Sequence, residues 1–287
     1  MTREDITIRD PYVLLHDGKY YLYGTRSLLC WDKPADIDTQ GFDVYVSDDL
    51  VNWSEPVEVF ARPKDFWADR NFWAPEVHEY KGCFYLFATF IGENRRRGTQ
   101  ILKADSPMGP FAVHSPEPIT PPDWECLDGT LYVDKNGIPY MVFCHEWVQI
   151  KDGTVCAVRL SDDLTHPVGE PVTLFSASEP TWVDVDAARY VTDGPFFFRT
   201  GKGTLLMFWS SLKDSQYVQA VARSSNGDID GKWEHLPLLF DSDGGHGMMF
   251  VTKEGQPMFT LHQPNLKYQE HPVFLHLEDL GDHVIAT

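Results

Sequence analysis

Alternating apolar and polar runs divide this chain into paired strands. Five times, an apolar run is followed by a short turn that contains glycine and then by a second apolar run. The copies are "DPYVLLHDGKYYLYGT", "APEVHEYKGCFYLFAT", "DGTLYVDKNGIPYMVFC", "DGPFFFRTGKGTLLMFWS" and "HGMMFVTKEGQPMFTLH". Two strands joined by a short glycine-containing loop are typical of a β-hairpin. The pattern therefore predicts five hairpins, with turn glycines Gly18, Gly82, Gly137, Gly203 and Gly255.

A second strand–turn–strand pattern follows most of these hairpins. It reads "VYVSDDLVNWSEPVEVF", "ILKADSPMGPFAVHSPEPIT", "AVRLSDDLTHPVGEPVTLF" and "AVARSSNGDIDGKWEHLPLLF". Two successive hairpins form a four-stranded antiparallel unit that cannot bury both of its faces alone. Five such units predict an all-β fold, a five-bladed β-propeller in one domain over residues 1–287. A large β-sandwich is the alternative, but it would not explain the spaced recurrence of one hairpin type.

Each predicted hairpin begins near an ionisable residue. In chain order these residues are Asp10, Glu76, Asp128, Asp193 and His246. In a propeller the first strand of every blade lines the central channel, so these side chains would converge at one end of it. Crowded carboxylates raise at least one pKa, and acid/base chemistry uses carboxylates with unequal pKa values. For any single aspartate, an ordinary turn at the start of a strand is the alternative interpretation.

Composition excludes several classes of function. The formal net charge is −19, which would repel nucleic acid and anionic membranes. No CxxC pair occurs among the five cysteines, which are Cys30, Cys83, Cys126, Cys144 and Cys156. Neither a disulfide framework nor a zinc site is therefore predicted. The N-terminal stretch "MTREDITIRD" has no apolar core of a signal peptide, which predicts a soluble, cytoplasmic chain.

Several of these stretches resemble glycoside hydrolase family 43 over essentially the whole chain. The most specific are "IRDPYV", which matches the family's opening Asp-Pro, and "FWAPEV", which matches its Trp-Ala-Pro-Glu-Val stretch. Further matches are "LDGTLYV", "TDGPFFF" and the Gly-His of "GGHGMMF". The resemblance implies a five-bladed propeller that hydrolyses arabinose-, xylose- or related sugar linkages with inversion.

The resemblance also implies a role for individual residues. Asp10 resembles the general base that activates water, and Asp128 resembles the auxiliary carboxylate that raises the pKa of the acid. Asp193 falls where the family usually has a general-acid Glu. His246 matches a histidine that, in many members, faces a calcium or other ion in the channel. No other cofactor is expected.

The shorter Asp193 leaves the identity of the acid open. Glu146 in "FCHEWVQI" is the first rival and Glu179 in "SASEPTW" is the second. A loop salt bridge is the alternative role for Glu146. We rank Asp193 first, Glu146 next and Glu179 last.

Sugar contacts are expected from polar and aromatic residues near the channel mouth. The candidates are Trp73, Glu76, His262 and Gln263, with Asn265 beside the last two. Core packing is the alternative for Trp73, and a capped strand end is the alternative for the "LHQPN" residues. The expected partner is an oligosaccharide or polysaccharide of arabinofuranose, xylose or galactofuranose.

Three other functions remain possible on a similar propeller. A retaining furanosidase would differ in product stereochemistry, although "IRDPYV" lacks the opening motif of those enzymes. A glycoside phosphorylase would need a basic phosphate site, for which "ENRRRG" is the only arginine run; we interpret it as a solvated face. A non-catalytic sugar-binding propeller would be expected to lose channel carboxylates.

Overall fold

The computed structural model describes residues 1–27, 40–184 and 187–287. Cys30 lies outside these residues. Their strands form five antiparallel sheets of four strands each, and the inner strands of successive sheets contact one another. The inner strand of the fifth sheet contacts that of the first, which closes the ring. The predicted five-bladed β-propeller is confirmed.

The first three blades follow one another along the chain. Blade one contains β1 (Ile8–His16), β2 (Lys19–Arg26), β3 (Gly41–Ser47) and β4 (Val57–Ala61). Blade two contains β5 (Arg70–Tyr80), β6 (Cys83–Gly92), β7 (Arg95–Ala104) and β8 (Ala112–Val113). Blade three contains β9 (Cys126–Val133), β10 (Pro139–His145), β11 (Thr154–Leu160) and β12 (Pro167–Ser176).

The last two blades complete the ring. Blade four contains β13 (Asp193–Arg199), β14 (Leu205–Lys213), β15 (Gln216–Ser224) and β16 (Trp233–His235). Blade five contains β17 (Gly245–Val251), β18 (Pro257–Gln263), β19 (His271–Asp279) and β20 (Val284–Ala286). The outer pair of blade five has no counterpart in the sequence pattern. The helices are a 3₁₀ turn at Arg3–Asp5 and α1 (Trp147–Ile150), and no helix of the described ranges is long and apolar enough to cross a membrane.

Each predicted hairpin joins the first two strands of a blade. The five turn glycines have φ between 73° and 87°, and space is open where a Cβ would stand. This left-handed conformation is easily adopted by glycine, which explains why the residue recurs at every turn. Apolar side chains of the strands pack in buried clusters, with Trp209, Phe87 and Phe143 among the largest fully buried side chains.

Candidate active site

Every inner strand carries a β-bulge near its start. At each bulge one residue takes a left-handed φ of 46° to 56°, and these residues are Asp10, Ala74, Asp128, Gly194 and His246. The residue directly before each of them pairs with the second strand, and the register shifts after it; these residues are Arg9, Trp73, Leu127, Asp193 and Gly245. A left-handed φ is uncommon for residues other than glycine and often marks a functional site. The five bulges therefore form one structural ring around the channel.

The bulges correct the expected alignment in two blades. Ala74, not Glu76, occupies the ring position of blade two, and Glu76 lies two residues farther along the strand. In blade four Gly194 holds the ring position, so Asp193 is one residue earlier than Asp10 or Asp128. A bulge inserts an extra residue into one strand only. Counting back from a turn glycine cannot detect that insertion.

Hydrogen bonds link the ring from blade to blade. In four junctions, the backbone N–H of the bulged residue donates to a side chain on the second strand of the preceding blade. The donor and acceptor pairs are Ala74 to Thr25 Oγ1 at 2.7 Å, Asp128 to Thr89 Oγ1 at 2.8 Å, His246 to Ser210 Oγ at 2.7 Å and Asp10 to His262 Nδ1 at 3.2 Å. Each acceptor residue is the strand partner of the residue just before the bulge of its own blade. The bonds therefore tie neighbouring inner strands together.

The junction between blades three and four differs from the others. Cys144 occupies the position that Thr, Ser or His holds in the other blades. The N–H of Gly194 donates instead to Asp128 Oδ2, at 3.0 Å. A thiol is a weak acceptor, so the carboxylate takes its place. This bond orients the Asp128 side chain toward blade four.

Asp10 lies in an environment that favours its ionised form. Thr25 Oγ1 donates to Asp10 Oδ2 at 2.6 Å, and His246 Nδ1 lies 3.1 Å from Asp10 Oδ1. Burial alone would raise the pKa of Asp10, but the positive charges of His246 and Arg9 and the Thr25 hydrogen bond outweigh burial and lower it. Asp10 can therefore hold a negative charge although only 8% of the residue is exposed.

Asp128 and Asp193 lie in an environment that favours a bound proton. Burial raises the pKa of Asp128 to about 8; His246 opposes this, while the carboxylates of Asp193 and Asp10 add to it. Burial also raises the pKa of Asp193, against the effect of His246 and of the hydrogen bond that Tyr217 donates to Asp193 Oδ2 at 2.9 Å. Two neighbouring carboxyl groups of this kind titrate as a pair.

His246 is surrounded by carboxyl groups. Burial would lower its pKa, but Asp10, Asp128 and Asp193 outweigh burial and raise it. Its Nδ1 lies 3.7 Å from Asp128 Oδ2, in addition to the contact with Asp10. A protonated imidazole therefore fits between the two aspartates.

The same arrangement does not fit a calcium held by protein ligands. Calcium takes six to eight oxygen ligands. Within residues 1–27, 40–184 and 187–287, no three or more His, Cys, Asp or Glu side chains are grouped to hold a metal ion. The channel ion near His246 stays a prediction.

Glu146 directly precedes α1 and is 5% exposed. Its Oε2 contacts Arg97 Nη1, and the Arg97 guanidinium also lies over the Trp73 ring, 4.8 Å from its centre. Burial raises the pKa of Glu146 to about 7, against the effect of Arg97. Arg97 therefore belongs to the site, which corrects the interpretation of "ENRRRG" as a solvated face; Arg95 and Arg96 do form exposed ion pairs, with Glu117 and Glu125.

A cavity of about 450 Å³ opens above these groups. Its ionisable lining includes Arg9, Asp10, Asp128, Glu146, Arg189, Asp193, Tyr217, His246 and Lys267. Trp73, Trp147, Thr25 and Asn265 also line it. The structure thus brings together the three aspartates, Glu146, His246 and Trp73. The first and last of them, Asp10 and His246, lie more than two hundred residues apart in the sequence.

The predicted sugar-contacting residues Glu76, His262 and Gln263, and the acid candidate Glu179, lie outside the cavity. Glu76 is buried within the channel, where its Oε2 is 2.9 Å from His78 Nε2. His262 is fully buried behind Asp10, and Gln263 Nε2 donates to Ser242 O at 2.6 Å. Glu179 is exposed and accepts the Ser176 N–H at 2.8 Å. None of these four lines the cavity.

The sequence interpretation missed several residues of the site. Thr25 ends the first hairpin repeat and Tyr217 lies on the third strand of blade four, and the sequence pattern assigned neither a role. Arg9 forms a buried ion pair with Glu270 at 2.8 Å and donates to Asn265 Oδ1 at 2.8 Å. The charge of Arg9 directly before "DP" was a visible signal, whereas Glu270 lies 261 residues away and gave none.

Known proteins resemble this chain in both sequence and fold. The solved structure of an endo-arabinase from Bacteroides thetaiotaomicron is 38% identical, with a TM-score of 0.89 over 99% of each chain. An extracellular exo-α-(1→5)-L-arabinofuranosidase of Cellvibrio japonicus is 25% identical over 245 residues, which are 77% of this chain and 65% of that protein. An arabinoxylan arabinofuranohydrolase of Paenibacillus polymyxa is 27% identical over 66% of this chain and 34% of its own length. The chain thus spans less than two thirds of these curated relatives.

A protein-family model matches nearly the whole chain. The model of glycosyl hydrolases family 43 matches residues 6–279, a range that contains all five blades' inner strands and every residue of the cavity. On this match, and on the likeness to the Bacteroides structure, the chain belongs to glycosyl hydrolase family 43.

Proposed function

We propose that this protein is a glycosidase that hydrolyses bonds of arabinose-containing glycans and inverts the anomeric configuration. The observation that supports it is the opposed environment of carboxylates in one cavity, one favouring charge and the others favouring a proton. The Bacteroides endo-arabinase and the Cellvibrio arabinofuranosidase bear names that support arabinose as the sugar.

Asp10 is the proposed general base. An inverting hydrolase needs an ionised carboxylate that activates water on one face of the sugar. His246, Arg9 and Thr25 keep Asp10 in this form. A carboxylate has about four acceptor sites, so lone pairs remain for water beside the bond from Thr25.

Asp193 is the proposed general acid. It must carry a proton at working pH, and burial raises its pKa accordingly. Asp10 and Asp193 extend from different blades, which suits the roughly 6.5–9.5 Å separation of an inverting pair. Asp128 is the proposed auxiliary carboxyl group, because the Gly194 N–H orients it toward blade four, where it titrates together with Asp193.

Glu146 is a second candidate for the acid. It lines the cavity, and its pKa of about 7 suits an acid near neutral pH. The contact with Arg97 favours the ionised form and argues for Asp193 instead. The two candidates make different predictions for substrates with good leaving groups.

The reaction is tested with nitrophenyl glycosides of arabinofuranose, xylose and galactofuranose, with the anomeric product followed by NMR. We expect turnover of the arabinofuranoside and an inverted first product. A retained product would indicate a retaining furanosidase, and turnover that requires added phosphate would indicate a phosphorylase. Sugar binding without turnover of any glycoside or arabinan would indicate a non-catalytic propeller.

The acid is tested by comparing Asp193→Ala and Glu146→Ala on substrates with poor and good leaving groups. A good leaving group needs little protonation, so the variant that lacks the acid should recover most of its activity on that substrate. We expect this rescue for Asp193→Ala alone. Rescue of Glu146→Ala alone would assign the acid to Glu146.

The cytoplasmic location stays a prediction. Names of two relatives describe them as extracellular, which favours secretion for those proteins. Fractionation of the native organism's cells and medium, followed by immunodetection, distinguishes the two locations.

A further inference from the structure

The hydroxyl group of Thr25 accepts one hydrogen bond and donates another, to Asp10. The residue is 1% exposed and lies on β2 opposite Arg9. Its Oγ1 accepts the N–H of Ala74 at 2.7 Å and lies 2.6 Å from Asp10 Oδ2. A hydroxyl has one proton and two lone pairs. Since a lone pair receives the Ala74 N–H, the proton is free to point at the Asp10 carboxylate.

The equivalent hydroxyl in blade four has a different target. Ser210 Oγ accepts the N–H of His246, as Thr25 does for Ala74. Its own proton is donated to Gln219 Oε1 at 3.1 Å, away from the carboxylates. In both blades this second-strand hydroxyl therefore holds the bulge of the next blade. In blade one it also donates a hydrogen bond to Asp10.

We propose that Thr25 is a positioning residue for Asp10, holding its Oδ2 to the backbone of blade two and stabilising the ionised carboxylate. The inference rests on the proposed role of Asp10 as general base. A hydroxyl that both accepts and donates is polarised, which strengthens each bond in the chain. The N–H of Ala74, the Thr25 hydroxyl and the Asp10 carboxylate form such a chain.

Other groups also act on the charge of Asp10. Those that face it are Arg9 on its own strand, Asp128 on β9, Asp193 on β13, Tyr217 on β15, His246 on β17 and His262 on β18. Replacing Thr25 by the isosteric Val removes the hydroxyl and changes none of these groups. A shift of the pH profile in that variant therefore reports on the hydrogen bond.

The experiment measures kcat/KM against pH for Thr25→Val, Thr25→Ser and Thr260→Val. Because the base must be ionised, activity falls on the acid side of the profile, and loss of the Thr25 bond raises the pKa of Asp10. We expect the acid limb of Thr25→Val to move to higher pH by about one unit. Loss of a hydrogen bond to a charged carboxylate raises its pKa by roughly that amount. Thr25→Ser keeps the hydroxyl and should retain the wild-type limb.

Thr260→Val is the matched control. Thr260 is fully buried on β18, and its hydroxyl has no hydrogen-bond partner among the described residues. The same loss of a buried hydroxyl there should leave the pH profile unchanged. If Thr25→Val does not fold, Thr25→Ala also removes the hydroxyl and places no methyl group against the Ala74 N–H and the Asp10 carboxylate.

The outcomes distinguish this inference from the proposed function. If Asp10→Asn is inactive and folded Thr25→Val or Thr25→Ala has the wild-type acid limb, the role of Thr25 is refuted and that of Asp10 stands. If Asp10→Asn keeps full turnover, the role of Asp10 fails, and with it the inference. If neither Thr25 variant folds while Thr25→Ser does, the hydroxyl is essential to the fold and the positioning role is rejected in favour of a structural one.

Discussion

Asp10 in blade one and Asp128 in blade three occupy the same position of the bulge ring with opposite electrostatic consequences. Their φ values are 53° and 56°, and both are almost fully buried. The pKa of Asp10 is lowered, whereas that of Asp128 is raised to about 8. Equal backbone geometry therefore does not determine whether the carboxyl group carries a proton.

The difference comes from the groups that surround each carboxyl group, on its own blade and on the adjacent one. Asp10 receives a hydroxyl bond from Thr25 and has His246 at 3.1 Å, with Arg9 beside it. Asp128 receives the N–H of Gly194, and its nearest contact with His246 is longer, 3.7 Å. Two equivalent positions of one ring thus favour opposite protonation states, an ionised Asp10 and a protonated Asp128.

The largest expected effect is that of Asp10→Asn. Asn tolerates a left-handed φ and keeps the shape of the side chain, so the fold should persist. Loss of a general base lowers kcat by roughly 10²–10⁴-fold. Steady-state kinetics on the true substrate, with circular dichroism as the check on folding, measure this. Full turnover in a folded variant would contradict the assignment of the base.

His246→Asn should reduce the difference in pKa between Asp10 and Asp128. The variant removes the cation beside Asp10 and retains a residue that accepts a left-handed φ. A bond to a charged group contributes about 1.5–3 kcal/mol, which corresponds to a loss of roughly 10–100-fold in kcat/KM. The acid limb should also move to higher pH, because Asp10 then binds a proton more readily. An unchanged limb would show that His246 does not tune the base.

Asp128→Asn is the matched counterpart of Asp10→Asn. Since Asp128 has a pKa of about 8, Asn resembles the form it has at neutral pH. We expect a fall in kcat of about tenfold, close to 1.4 kcal/mol and far below that of Asp10→Asn. Equal losses for both variants would mean that the two aspartates do not differ as the structure indicates.

The same variant should change the pH dependence of stability. A carboxyl group whose pKa rises on folding stabilises the protein fully below about pH 4, its unfolded value, and this contribution is lost as the pH rises toward 8. Melting temperatures across that window should therefore fall less steeply for Asp128→Asn than for the wild type. Parallel curves would show that the pKa of Asp128 is not raised.

The smallest expected effect is that of Cys144→Ser. A serine hydroxyl here can accept the Gly194 N–H, as Ser210 accepts that of His246. Asp128 would lose its donor, so its pKa should rise further and the melting temperature should fall more at pH 8 than at pH 5. The net change should be within about 1.5 kcal/mol, the usual range for one hydrogen bond. Cys156→Ser, at another buried cysteine, is the control and should show equal changes at both pH values.

Much of the architecture was predictable from local patterns. Apolar runs and turn glycines such as Gly18 specify the inner hairpins, because strand alternation and turn geometry depend on residues close in sequence. The exception is the outer pair of blade five, β19 and β20, which lacks a recurrent polar turn. The matching positions of Asp10, Asp128 and His246 were also visible, because each lies eight or nine residues before its turn glycine and hence at a similar depth in the channel.

Local sequence patterns specify the five hairpins and the set of ionisable residues that face the channel. The register of those residues at the bulges, and the protonation of their carboxyl groups, depend on contacts between strands and blades. The bulges that put Ala74 and Gly194 in the ring add one residue to the strand but leave no recognisable residue pattern in the sequence. The groups that set the charge of Asp10, among them Thr25 and His246, come from other strands and another blade. Such contacts exist only once the ring has closed, and no local pattern encodes them.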